Sequence, residues 1–141
     1  RAPAAATPGM FAPGGTALSF LAASTSGLSV GVPGTLLGVE TALRRWGTMQ
    51  LSQALAPAIR VAEQGFRINR FLAANIANDG GRTSFQPETA ALFRPGGVAL
   101  KDGDLLVQPE LARTFRLIAK HGPSVFYRGE IAAALARIRG Q

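Results

Sequence analysis

Glycine and proline cut this chain into short pieces, and that limits its folds more than any other property. The 141 residues include 17 glycines and 9 prolines. They crowd the start, where Pro3, Pro8, Gly9, Pro13, Gly14, Gly15 and Pro33 leave no room for a long helix over residues 1–34. Proline lacks the amide hydrogen that a helix interior needs, and glycine pays the largest backbone entropy there. The expectation is an extended or loop-rich lead-in, with Thr16 to Ser26 small and polar enough to be mobile.

From Thr35 the apolar spacing becomes helical. Leu36, Val39, Leu43 and Trp46 recur at three- and four-residue steps. Thr35 is placed to cap that helix, and Gly47 to end it in the left-handed conformation. A second helix has Ser52 as its cap, Leu55, Ile59 and Ala62 as its apolar face, and Gly65 as its stop. Pro57 inside this pattern predicts a kink or a later start. Asn69 caps a third helix that runs to Asn78, with Leu72 and Ile76 inward. Residues 79–86 read as loop, and Pro87 to Phe93 as a short helix broken by Pro95, Gly96 and Gly97. Lys101 to Asp104 is a turn sequence between two very short strands. Pro109 opens a helix with Leu111, Phe115 and Ile118 inward and Arg113, Arg116 and Lys120 in solvent, ended by Gly122-Pro123. Ser124 to Tyr127 is one turn, and Ile131, Leu135 and Ile138 mark a last helix stopping at Gly140. No internal repeat of fixed period is expected. The class is mainly α.

The length suffices for one domain with a core, and no run approaches the roughly 18 apolar residues of a membrane span. No charged start followed by a long apolar run, the pattern of a signal peptide, is present. Without cysteine there is neither a disulfide nor a thiolate metal site. The net charge of +7 comes from arginines set singly or in small pairs, such as Arg44-Arg45. No basic run or aromatic interleaving accompanies them, so a solvated basic surface is expected rather than a nucleic-acid partner.

Residues able to carry chemistry are few. His121, the single histidine, stands at a helix end, where a cation suits the carbonyl dipoles better than it suits a base role. Ser24, Ser26 and Ser29 then lack an activator. Asp102 and Asp104 form a close acidic pair without the further oxygens of a calcium loop, so turn formation explains them. Gly14-Gly15-Thr16 and Gly31 to Thr35 match no phosphate-binding fingerprint. No catalytic, substrate-binding, cofactor or metal residue is assigned.

Several phrases gain meaning from their order and spacing. They are Gly31-Val32-Pro33-Gly34-Thr35, Trp46-Gly47-Thr48-Met49, Leu55-Ala56-Pro57-Ala58-Ile59 and Ala62-Glu63-Gln64-Gly65-Phe66. Next come Gly103-Asp104-Leu105-Leu106-Val107-Gln108-Pro109, Gly122-Pro123 and Phe126-Tyr127-Arg128-Gly129. Together the set resembles the large subunit of the γ-glutamyltransferases (γ-glutamyltranspeptidases), from about Ala2 to Gly140. These are autoprocessing N-terminal-nucleophile hydrolases with a four-layer αββα sandwich.

The resemblance implies a bacterial parent enzyme, periplasmic or secreted, that transfers or hydrolyses the γ-glutamyl group of glutathione-like compounds without an organic cofactor or metal. Residues 1–34 would be the lead-in and residues 35–141 the helical region of that large subunit. The partners implied are the remainder of the large subunit and the small catalytic subunit. The family nucleophile is a threonine in a Thr-Thr-His-like phrase, with a glycine pair as oxyanion hole; Thr25, Thr35, Thr48 and Thr83 stand in other contexts. The chain therefore reads as a scaffold and cleft-shaping segment, inactive alone. A family arginine that binds the substrate carboxylate precedes an Ala-Pro pair, and Arg1 precedes Ala2-Pro3 too closely to match that spacing without a gap. The alternatives are a segment of a cephalosporin acylase or related amidase of the same superfamily, and a non-catalytic helical binding module.

Overall fold

A computed structural model describes residues 4–138 of the chain, the side chain of Ile138 excepted. Arg1 and Gly140 lie outside the described residues. The helices are α1 (Phe20–Thr25), α2 (Thr35–Trp46), α3 (Leu51–Gln64), α4 (Arg70–Ala77), α5 (Arg82–Phe85), α6 (Pro87–Phe93), α7 (Pro109–His121), α8 (Ser124–Arg128) and α9 (Glu130–Ile138). The strands β1 (Phe66–Arg67) and β2 (Leu105–Leu106) form one antiparallel pair. Among the described residues the chain is mainly helical, as the spacing of its apolar residues predicts. It divides into two compact units, Arg1–Leu51 with Lys120–Gln141, and Ser52–Ala119.

In the first unit, the stretch expected to be mobile contains α1. Ser19 accounts for it, because its hydroxyl accepts the Ala22 amide at 3.2 Å and caps the helix. Thr35 is not the cap of α2: Gly34 holds that position and supplies no side chain. The Tyr127 hydroxyl takes over, accepting the Leu37 amide at 3.2 Å from 90 residues away. Gly47 does end α2, but in an extended conformation, φ −85° and ψ 159°. Glycine serves there for space, since a Cβ would lie 2.6 Å from the Leu43 carbonyl oxygen. The predicted inward face of α2 divides: Leu36 and Leu43 are half-buried, while Val39 and Trp46 are exposed. In α9, Ile131 and Leu135 are half-buried.

The second unit holds the core. Ile68, Ile76 and Leu106 are buried together, with Leu72, Phe93 and Leu100 packed against them. Helix α3 starts at Leu51, so Ser52 is its second residue rather than its cap, and the helix runs through Pro57 instead of beginning there. Burial of Ala62 and partial burial of Leu55 and Ile59 hold the proline-bearing turn. Gly65 ends α3 with φ 79°, and a Cβ there would lie 2.8 Å from the Leu106 carbonyl oxygen. Two requirements therefore select glycine: the left-handed backbone and the close approach of β2. Asn69 caps α4 as expected, accepting the Leu72 amide at 3.0 Å.

Residues 79–86 are not wholly loop, because α5 lies within them. The Asp79 carboxylate accepts the amides of Gly81 at 2.8 Å and Thr83 at 2.6 Å, which starts that turn of helix. The Lys101–Asp104 turn forms, with the Asp104 carboxylate accepting the Lys101 amide at 2.7 Å. It does not link two neighbouring strands, because β2 pairs with the distant β1 in the register Phe66↔Leu106 and Arg67↔Leu105. On α7, Ile118 is buried and Leu111 and Phe115 are half-buried, while Arg113, Arg116 and Lys120 face solvent. Ala112, unanticipated, is fully buried on the same helix.

Candidate functional site

The first unit contains an open cleft of about 440 Å³ between α2 and the turn that follows α7. Glu40 comes from α2; His121, Ser124, Tyr127 and Arg128 come from the end of α7 and from α8. Gly122, with φ 73°, makes the sharp exit from α7 that places these side chains on one wall. Leu37 and Pro123 supply apolar surface.

The hydrogen bonds in this cleft are structural. Ser124 donates its hydroxyl proton to the His121 carbonyl at 3.2 Å, and the Tyr127 hydroxyl is occupied by the Leu37 amide. Among the described residues no hydrogen bond joins the His121 ring to a hydroxyl, so no nucleophile–base pair is assembled here. The three serines of the lead-in weighed as nucleophiles are engaged in the same local way. Ser24 donates to Leu21 O, Ser26 to Ala23 O, and Ser29 to Ser26 O. Thr25 donates to Leu21 O at 2.7 Å. Asp102 and Asp104 lie in their turn, and no group of three or more metal-ligating side chains occurs among the described residues.

The densest polar cluster lies in the second unit, and it is one that the spacing of the sequence does not reveal. Arg94, just after α6, donates through Nε to Thr83 Oγ1 at 2.9 Å and through Nη2 to the Ile76 carbonyl. Its Nη2 also lies 3.4 Å from Asp79 Oδ1. The Thr83 hydroxyl, then the amides of Thr83 and Gly81 and the Arg94 charge, outweigh burial and hold the Asp79 carboxyl down at about 2. Every buried side-chain polar atom among the described residues has a partner. A satisfied Asp79, ionised at neutral pH, suits a clasp between α4, α5 and α6, not proton transfer. The phrase Asp79-Gly80-Gly81 signals the local turn; nothing local in the sequence points to Arg94.

The comparison with known proteins covers nearly the whole chain. A family profile described as Gamma-glutamyltranspeptidase matches residues 1–138. The chain belongs to the gamma-glutamyltranspeptidase family. It is 46% identical over 139 residues to the glutathione hydrolase proenzyme of Bacillus subtilis (strain 168), covering 96% of this chain and 23% of that protein. It is 41% identical over 107 residues to the acylase ACY 1 proenzyme of Pseudomonas sp. (strain SE83), covering 76% of this chain and 19% of that protein. The crystal structure of Helicobacter pylori gamma-glutamyltranspeptidase superimposes with a TM-score of 0.89 at 34% identity, over 97% of this chain and 40% of that chain. This family member thus spans less than a quarter of the length of these curated relatives.

Proposed function

We propose that this chain forms part of the large subunit of a γ-glutamyltransferase, with residues 1–34 as its lead-in and residues 35–141 as its helical region. The parent enzyme moves the γ-glutamyl group of glutathione-like compounds to water or to an amino acid, through a γ-glutamyl ester on a processed threonine. The observation that carries this reading is the superposition on the H. pylori enzyme over 97% of the chain. The relatives named as proenzymes support a precursor that is later processed.

In this reading the α-amino group of the nucleophilic threonine acts as base, and a glycine pair of the small subunit stabilises the oxyanion, a contribution of about 3–4 kcal/mol per donor removed in comparable sites. The present chain contributes scaffold: helices that cover the sheets of the αββα sandwich and shape one side of the cleft. The reading calls for no metal or organic cofactor and places the parent in the periplasm or outside the cell. Carboxylate recognition belongs either to Arg1 or to an arginine upstream of it.

The chain alone is expected to release no chromophore from a chromogenic γ-glutamyl anilide, because its described hydroxyls have no assembled base. Turnover that copurifies with the isolated chain would overturn the scaffold role. Similarity to the acylase ACY 1 proenzyme favours a second reading, an acylase of the same superfamily. The parent enzyme given both a γ-glutamyl anilide and an acylated cephalosporin separates the two: preference for the cephalosporin sinks the γ-glutamyl reading.

A further inference from the structure

One turn occurs twice in this chain. Residues 10–18 read Met10-Phe11-Ala12-Pro13-Gly14-Gly15-Thr16-Ala17-Leu18, and residues 92–100 read Leu92-Phe93-Arg94-Pro95-Gly96-Gly97-Val98-Ala99-Leu100. The backbones agree as closely as the sequences. Ala12 and Arg94 have φ/ψ of −132°/60° and −138°/57°; Gly14 and Gly96 have 66°/20° and 64°/19°. Gly15 and Gly97 follow at φ 84° and 83°, then Thr16 and Val98 at −104°/124° and −104°/127°. Two successive positive φ angles after a proline require two glycines. Each turn closes with the same hydrogen bond, Leu18 N to Phe11 O at 2.8 Å and Leu100 N to Phe93 O at 3.0 Å. That bond joins the phenylalanine and leucine of each copy as an apolar pair at the base of the turn.

The second copy shows what such a pair is for. Phe93 and Leu100 pack on Ile68, Ile76 and Leu106, and Arg94 fastens the turn to Asp79 and Thr83. The first copy has the apolar pair but not the clasp, since Ala12 replaces the arginine. Nor does its own unit offer a comparable seat. The buried hydrophobic residues of the described chain, Ile68, Ile76, Leu106 and Ile118 with Ala62 and Ala112, all belong to the second unit. Phe11 remains 38% exposed, while Leu18 is half-buried like Leu100.

We propose that the first turn is a docking edge, whose Phe11 and Leu18 seat on an aliphatic cluster supplied by parent-enzyme polypeptide outside these 141 residues. The second copy defines the partner chemistry: branched aliphatic side chains of a helix and a strand edge. The relatives' length supplies the candidate, because this chain accounts for only 23% of the B. subtilis proenzyme. The inference rests on the reading of the chain as part of a longer proenzyme.

The test uses the full proenzyme with the photoreactive p-benzoylphenylalanine in place of Phe11. After illumination and digestion, mass spectrometry maps the crosslink. The expected product joins position 11 to a peptide outside the 141 residues, centred on Ile, Leu or Val. A crosslink within the 141 residues, a crosslink between two proenzyme molecules, or none at all overturns the docking edge. Wild-type hydrogen exchange provides a second readout that needs no substitution. The Leu18 amide should exchange at least ~10-fold more slowly in the proenzyme than in the isolated chain, with Leu100 alike in both; equal rates for Leu18 would overturn the proposal. Assaying the same proenzyme on a γ-glutamyl anilide keeps the two readings apart, because docking without turnover counts against the γ-glutamyl reading alone.

Discussion

Tyr127 supplies α2 with the acceptor that Gly34 cannot. Its hydroxyl satisfies one of the orphan amides at the helix start, while its ring lies edge-on to Phe126 with centroids 5.1 Å apart. Tyr127→Phe keeps the ring and removes only the acceptor. It should lower stability by about 0.5–1 kcal/mol, read as a drop in urea midpoint at unchanged slope. No change would mean that water replaces the hydroxyl at no cost. Asp79 makes a separate prediction about acid. Its carboxyl sits at about 2 in the folded chain, below the ordinary carboxylate value of 3.8. A folded value below the unfolded one means that the stabilisation is full above 3.8 and is lost as pH falls toward 2. Asp79→Asn should therefore flatten the loss of stability in that window; an unchanged acid limb would show that other carboxylates set it.

At the scale of elements, α7 carries the clearest gradient of burial. Ile118 is 3% exposed, whereas Phe115 is half-buried and lines an open apolar groove with Pro57, Val61 and Phe66. Ile118→Ala should cost about 2–5 kcal/mol, and Phe115→Ala less despite its larger side chain, about 1–2 kcal/mol. The reverse order in urea melts would show that the groove closes over Phe115 in solution. Helices α3 and α7 are also tied by the Arg116–Glu63 ion pair, and Gln108, the residue before α7, donates its amide to Ala62 O at 2.8 Å. The ion pair is about half exposed at both ends and contributes little beside the buried Ala112 and Ile118.

For the molecule as a whole, the apolar residues left in solvent are the informative ones. Trp46 is 77% exposed, Val98 60% and Phe85 55%. Monomeric proteins rarely leave large apolar surface bare. The isolated chain should therefore self-associate with rising concentration in sedimentation experiments and bind a hydrophobic dye. A compact monomer at every concentration without dye binding would favour an independent helical module over a segment of a larger enzyme.

The sequence by itself determined the helical class, most helix positions and the stops at Gly65 and Gly122, because spacing, caps and left-handed turns are local properties of the chain. The cap at Asn69 and the turn at Asp104 were legible for the same reason. The ordered phrases from Gly31 to Gly129 were enough to indicate the family. Only the tertiary structure decided the Tyr127 cap, the pairing of β1 with β2, the Arg94 clasp on Asp79, and which residues of the α2 face are buried. Each joins residues far apart in sequence, and a neighbour brought in by folding leaves no trace in local spacing. Helix α2 shows both sides of that division: its stop at Gly47 is a local matter of the Leu43 carbonyl one turn back, while the acceptor at its start comes from Tyr127, 90 residues away.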